Sequence, residues 1–436
     1  MDNFEQSSKK GLVARAGDAA TGDDYGTRTA STPSTKEKNR LDVRRALFVC
    51  HYPVFGGPHN WGMRLNAALA PRGWEVLVLL PDEPGNAAER VRAAGSTVFQ
   101  IPLHRTRKSV DPRKHLAYLV TLPREVAAIR RLLREQRIDV VMTGGYTNPH
   151  EAIAARLENI PIVWQVANLH SVALLRPLIM RMIERFADAI MFTGENLQRT
   201  YLGERKPSVE VFPFYPPVDT KLFRPNELSR EEVRKEFNIP MDAPVIGSVA
   251  NLNSQKGLEY WIRAAVLIFQ QEPATYFLWI GARSETNRTY AANLEKEIGR
   301  SGIPPEQFIL AGPRMDTHRY LAAMDVKMLS SRYEGVATTS LEALAVGVPV
   351  VATDVAGMAE AVRNGQTGFV VPPANPAELA AAALRLIQDP EMRRAMGEEA
   401  RRDAVRRFDL SICAETHRCA LESAIAHRLR LRNAKA

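Results

Sequence analysis

Short aliphatic and β-branched runs punctuate the chain from residue 46 onward: ALFVC at 46–50, EVLVLL at 75–80, TVFQI at 97–101, DVVMT at 139–143, PIVWQV at 161–166 and AIMFT at 189–193. Between them lie segments such as 61–72, 122–137 and 174–187, whose apolar residues recur every three or four positions, the period of a helix with one buried face. Runs that are apolar almost throughout predict strands covered on both sides, and their alternation with helices predicts a parallel sheet between two helical layers. The proline-rich PFYPPVD at 213–219, followed by Phe223, Arg224 and Pro225, breaks the alternation and predicts an interdomain connection. The pattern then restarts with VIGSV at 245–249, TYFLWI at 275–280, FIL at 308–310, VKML at 326–329, VPVVAT at 348–353 and GFVV at 368–371. Helical stretches at 376–388, 391–407 and 411–430 close the chain. The expected architecture is α/β: two doubly wound, Rossmann-like domains at 41–215 and 216–410, facing across a cleft. A helix at 411–436 is expected to pack back on the first domain. Ligands of such sheets sit beyond the carboxyl ends of the strands, which places a site in the cleft.

Residues 1–40 are polar, small and charged, and are expected to form a disordered tail because they cannot bury enough surface to offset ordering. The length of 436 residues suits two domains. Three scattered cysteines, Cys50, Cys413 and Cys419, exclude a disulfide framework and suit a reducing compartment. The first forty residues lack the apolar core of a secretory signal, so a cytoplasmic setting is expected. Charge refines this picture. Residues 41–215 hold 23 Lys and Arg against 16 Asp and Glu, a surplus of seven, while 216–436 holds 28 against 27. The segments 124–137 and 174–186 interleave arginines with apolar residues. Two readings stand: peripheral docking on an anionic inner membrane face, or ordinary helices packing on their own sheet under a solvated basic surface. No nucleic-acid partner is expected.

The chemistry concentrates at 331–353, SRYEGVATTSLEALAVGVPVVAT. A strand ends near Leu329, a loop carries Glu334 and Gly335, and a helix begins around Thr338 to Ser340, each a candidate cap. Its first turn offers unpaired amides and partial positive charge to a phosphate or a sugar hydroxyl. Two glutamates eight apart prove little alone, since Glu391 and Glu399 repeat the spacing on a solvated helix; the strand–loop–helix setting separates Glu334 and Glu342 from that pair. Lys256 and Gly257 stand at another strand-to-helix turn, where a lysine neutralises a diphosphate. Gly56 and Gly57, between the first strand and first helix, permit close backbone approach to a ligand. Neither a G-x-G-x-x-G fingerprint nor a Walker A sequence occurs. No cluster has metal-ligand spacing, so no metal and no cofactor beyond a co-substrate are expected.

The 334–342 segment resembles the E-x7-E signature of the family 4 retaining glycosyltransferases, which have the GT-B fold. The similarity extends over nearly all of 45–410. FGGPHNWGMRLNAALAPRGWEVLVL is similar to that family's glycine loop and first helix, FYPPVDTKLFRP to its hinge and VANLNSQKG to its phosphate turn. The resemblance implies that Glu334 contacts the donor sugar, Glu342 the ribose, Lys256 the diphosphate, and the backbone of Gly335 and Ala337 to Thr339 the sugar and diphosphate. It also implies that the segment at Arg314 holds the base. Two positions depart from the family pattern: Asn251 stands where an arginine is common, with Arg283 or Arg314 as substitutes for its charge, and Ala167 stands where many relatives have a histidine. His170, His51 and His59 are candidates for that second role, His170 foremost. The implied activity is metal-independent transfer of a hexose-type sugar, with retention, from a nucleotide diphosphate to a glycan, lipid-linked or small-molecule acceptor. The departing phosphate helps deprotonate the acceptor. Rival readings are a GT-B nucleotide-sugar epimerase and an inactive nucleotide- or glycan-binding module.

Overall fold

The computed structural model describes residues 43–104, 112–144, 149–167, 176–283, 288–355 and 357–434. The tail at 1–40 and the loop carrying His170 lie outside them. Seven strands form the first sheet: β1 (Arg44–Val49), β2 (Trp74–Pro81), β3 (Val98–Ile101), β4 (Val140–Gly144), β5 (Ile162–Val166), β6 (Ala189–Thr193) and β7 (Glu210–Phe214). Their order is β3-β2-β1-β4-β5-β6-β7, all parallel. The second sheet holds β8 (Val245–Val249), β9 (Tyr276–Ile280), β10 (Phe308–Gly312), β11 (Val326–Leu329), β12 (Val350–Thr353) and β13 (Gly368–Val371) in the order β10-β9-β8-β11-β12-β13, again all parallel. Each sheet therefore reverses direction once, between β1 and β4 and between β8 and β11.

The continuous apolar runs have the cause the pattern implies. Alternate residues of one strand enter opposite layers: Leu47 and Val49 join one core while Ala46 and Phe48 join another, and Val326 and Met328 oppose Leu329 in the same way. Sequence pattern yields six strands for the first sheet, and the structure adds β7. Pro213 hides it, because a proline cannot donate to a ladder; β7 is an edge strand paired only with β6, where the missing N–H costs nothing.

The chain crosses between the sheets twice, and the crossings are hydrogen-bonded to each other. The Val218 amide donates to Phe408 O (2.9 Å) and the Leu410 amide to Val218 O (2.8 Å). Arg401 ties the first crossing to the second domain, donating to Phe223 O and Ala345 O (2.7 Å each) and to Thr220 O (2.9 Å). The Leu410–Asn433 helix then lies on the first domain, burying Ala414, Ala420, Leu421 and Ala424 among Ala46, Phe48, Trp61 and Phe214. Asp188 fixes its far end, accepting from His427 (3.0 Å) and Arg428 (2.7 Å).

The two arginine-bearing helices pack inward. In Pro112–Glu135, Val126, Ile129, Leu132 and Leu133 are buried in the first domain's core, and Arg130 and Arg131 pair with Glu158 and Glu135. In Arg176–Phe186, Met180 and Ile183 are buried, while Leu178 stays 65% exposed. Among the described residues no helix is long and apolar enough to cross a membrane.

Candidate active site

Both sheets turn their reversal points toward one cavity of about 960 Å³, a size that suits a nucleotide-linked sugar. Its second-domain wall is built from the loops after β8 and β11. These loops are stitched together: the Arg332 amide donates to Gln255 O (2.9 Å), Gln255 Nε2 to Tyr333 O (3.2 Å) and Ser330 Oγ to Lys256 O (3.0 Å). Gly257 makes the approach possible. It adopts φ +59°, and a Cβ there would stand 2.3 Å from Ser330 O.

The Thr338–Val346 helix opens on the cavity. Thr338, Thr339 and Ser340 are inside it rather than capping it; the cap is Ala337, which has no side-chain acceptor. Among the described residues no acceptor engages the amides of Thr338 and Thr339, which line the cavity. Unpaired N–H groups at a helix terminus form a ready anion site. Thr339 Oγ1 donates to Val249 O (3.1 Å), locking the terminus to the end of β8. The Ala337 amide already faces Met358 Sδ at 3.4 Å.

Lys256 and Glu334 meet on this wall: Lys256 Nζ donates to Glu334 Oε2, which Ser331 Oγ also approaches at 3.4 Å. A cation and a carboxylate on the cavity wall thus hold each other in place. Asn251 lines the cavity too, but its side chain accepts from the Ala282 amide (3.0 Å). The charge of an arginine is not supplied by Arg283 or Arg314, which pair with Glu295 (2.6 Å) and Glu236 (2.9 Å) away from the lining. Arg314 also stacks on Tyr320. The second cation on the lining is Arg332, which pairs with Glu259 and lies over Tyr260 at 4.9 Å.

Glu342, expected at the ribose, is not on the cavity surface. It is 3% exposed, off the cavity lining, and its Oε1 accepts from Arg64 Nη2 of the first domain at 2.7 Å. Burial raises its pKa, and the charges of Arg64 and then Lys327 oppose the rise. Arg64 also donates to Pro217 O (2.9 Å), so one guanidinium joins the first helix, the crossing and the E-x7-E helix. A second carboxylate bridges the domains: Glu360 accepts from the amides of Glu195 and Asn196 (2.8 Å each), capping a first-domain helix.

From the first domain the cavity receives Gly57, Pro58, Trp61, Ala167 and Thr193. A Cβ on Gly56 or Gly57 would meet nothing within 4 Å, and Gly56 is extended at φ −162°. These glycines therefore leave room in front of the Gly57–Leu69 helix rather than relieve backbone strain. Gly335 does have a steric reason to be glycine: its Cβ would stand 2.5 Å from Ala167 O across the cleft. Thr193 Oγ1 is buried without a partner among the described residues, a first-domain hydroxyl free for a ligand. Arg64, Arg332, Thr193 and Lys327 escape sequence reasoning. Only Lys327 leaves a local signal, a lysine inside an otherwise apolar strand.

The two doubly wound domains closing on a helix terminus are those of the GT-B fold. It is shared with the Anabaena protein HepE solved in complex with UDP and glucose (TM-score 0.72, 21% identity, 87% of this chain and 100% of that one). It is shared too with sucrose-phosphate synthase of Thermosynechococcus elongatus (TM-score 0.67, 21% identity, 88% and 99%). Residues 56–214 match the glycosyl transferase 4-like domain and residues 229–403 the glycosyl transferases group 1. The chain belongs to the family 4 glycosyltransferases. Alpha-D-kanosaminyltransferase of Streptomyces kanamyceticus is 31% identical over 43% of this chain and 48% of its own length. N-acetyl-alpha-D-glucosaminyl L-malate synthase of Bacillus anthracis is 25% identical over 82% and 91%. The chain spans about half the length of the first curated relatives it matches.

Proposed function

We propose that this protein transfers a hexose-type sugar, with retention and without a metal, from a nucleoside diphosphate to an acceptor hydroxyl. The acceptor is a glycan, a lipid-linked molecule or a small molecule, in the manner of bacterial polysaccharide or glycoconjugate synthesis. The observation that carries this reading is the uncapped Thr338–Thr339 terminus beside the Lys256–Glu334 pair. The amides and Lys256 hold the diphosphate, and Glu334 holds a sugar hydroxyl. The bond from the anomeric carbon to the diphosphate oxygen breaks as the acceptor oxygen bonds to that carbon on the same face. The acceptor proton passes to the departing phosphate, so no protein nucleophile is needed.

A thermal-shift panel of UDP, GDP, ADP and CMP tests the donor site. A nucleotide at 100 times its Kd adds about 2.7 kcal/mol, which moves the melting transition visibly. A shift by one nucleoside diphosphate, followed by transfer from its sugar conjugates with a retained anomer, is the expected result. Binding without turnover favours an inactive module, and turnover without acceptor an epimerase. No shift with any nucleotide removes the reading.

Docking of the first domain on an anionic membrane is the finer part of the proposal. Its support is the surplus of seven charges and exposed Leu178 beside exposed Arg181 and Arg185. Co-sedimentation with phosphatidylserine vesicles is expected at low salt and is expected to fall as salt rises. Absence of binding at low salt selects a freely diffusing acceptor.

A further inference from the structure

β11 carries a lysine on the face where its neighbours are apolar. Val326 and Met328 enter the core layer that includes the Pro376–Gln388 helix, and Leu329 enters the layer under Thr338–Val346. Alternation places Lys327 with Leu329, and its Nζ donates to Ser340 Oγ at 2.9 Å. The side chain is fully buried, and no described carboxylate forms an ion pair with it. The charged groups around it are Lys256 after β8, Glu334 after β11 and Glu342 on the helix, the last held by Arg64. Asp325, immediately before the same strand, is consumed by Arg230 (2.9 Å) and Arg234 (2.8 Å). Burial first, and Lys256 second, depress the ammonium to about 7, against the pull of Glu334 and Glu342.

Ser340 is the third residue of the helix whose free amides open on the cavity. An anion seated on Thr338 and Thr339 therefore lies just beyond the residue that Lys327 touches. In a protein interior each negative charge at several ångströms favours protonation by about one pH unit or more. We propose that Lys327 is the buried counter-ion of the donor site, taking up a proton from solvent when a nucleoside diphosphate binds and releasing it when the nucleotide leaves. The inference rests on the donor-site reading above. Its consequence is a cation present behind the helix terminus while the leaving group gains charge, and largely absent from the core above pH 7 when the site is empty. Lys327 touches no substrate; it is a positioning residue that acts through Ser340 and the helix.

Calorimetric titration with UDP, GDP and ADP near pH 8, in buffers of different ionisation enthalpy, counts the protons. Phosphate groups are ionised and histidines neutral there. Wild type is expected to take up about one proton per bound nucleotide, and its Kd to rise by up to about tenfold per pH unit between pH 7 and 9. Lys327→Met, nearly isosteric and apolar, is expected to abolish the uptake and flatten that dependence. Nucleotide binding that is pH-independent in wild type overturns the proposal without any variant, whether or not Lys327→Met folds. Uptake that persists in a folded Lys327→Met protein overturns it too. If none of the three nucleotides binds wild type, the donor-site reading falls with it.

Discussion

Replacing Lys256 with alanine is expected to slow sugar transfer by about 10²–10³-fold while nucleoside binding changes far less. The ammonium lines the cavity and is held by Glu334 beside the free amides of the Thr338–Val346 helix. It is placed before the reaction, so it needs no reorganisation as charge gathers on the departing diphosphate. Removing one such preorganised donor typically costs about 3–4 kcal/mol of barrier. With its charge acting on the diphosphate and leaving group, as proposed above, rather than on the base, the loss is expected to fall on kcat. Steady-state kinetics at saturating donor, together with titration of the free nucleoside, give the split. A kcat within tenfold of wild type means that Lys256 does not serve the leaving group.

Gly335→Ala is expected to lower kcat by about a hundredfold with both domains still folded. The added Cβ would stand 2.5 Å from Ala167 O, a backbone atom at the end of β5 that no rotamer change can move. The cleft must open, or the loop carrying Glu334 must retreat, by about an ångström. A misplacement of that size between bound sugar and acceptor costs about 10² in rate. Diphosphate binding to the second domain needs no contact with Ala167 and is expected to survive. Single-turnover kinetics beside calorimetric binding test this. An equal loss of binding and turnover places the defect inside the second domain instead.

One carboxylate differs in its surroundings from what the resemblance implies. The resemblance assigns Glu342 to the ribose, and the structure assigns it to Arg64. Off the cavity surface the carboxylate is desolvated, which raises its pKa, and Arg64 opposes the rise: a buried carboxylate needs a partner, and the first domain supplies one.

Much of this protein was legible in its sequence. Apolar runs without alternation specify parallel strands covered on both faces, and every strand of the second sheet stands where its run lies. The strand–loop–helix order around Glu334 and the turn at Lys256–Gly257 follow from local signals alone, because caps, glycines and periodicity act over a few residues. Tertiary structure decided the rest. Pro213 masks β7, and only its place at the sheet edge makes the strand tolerable. Arg64 and Glu342 are 278 residues apart, and nothing near either one marks the other as its partner. The pairing of Val218 with Phe408 and Leu410, and the approach of Gly335 to Ala167, are of the same kind. Lys327 shows the division most clearly. The sequence puts a lysine in a buried strand, but its charge depends on burial first and then on Lys256, Glu334 and Glu342, which the fold gathers from the loops after β8 and β11 and the next helix. Periodicity records which face a residue takes; electrostatic surroundings are a sum over the whole fold, and only the folded chain evaluates it.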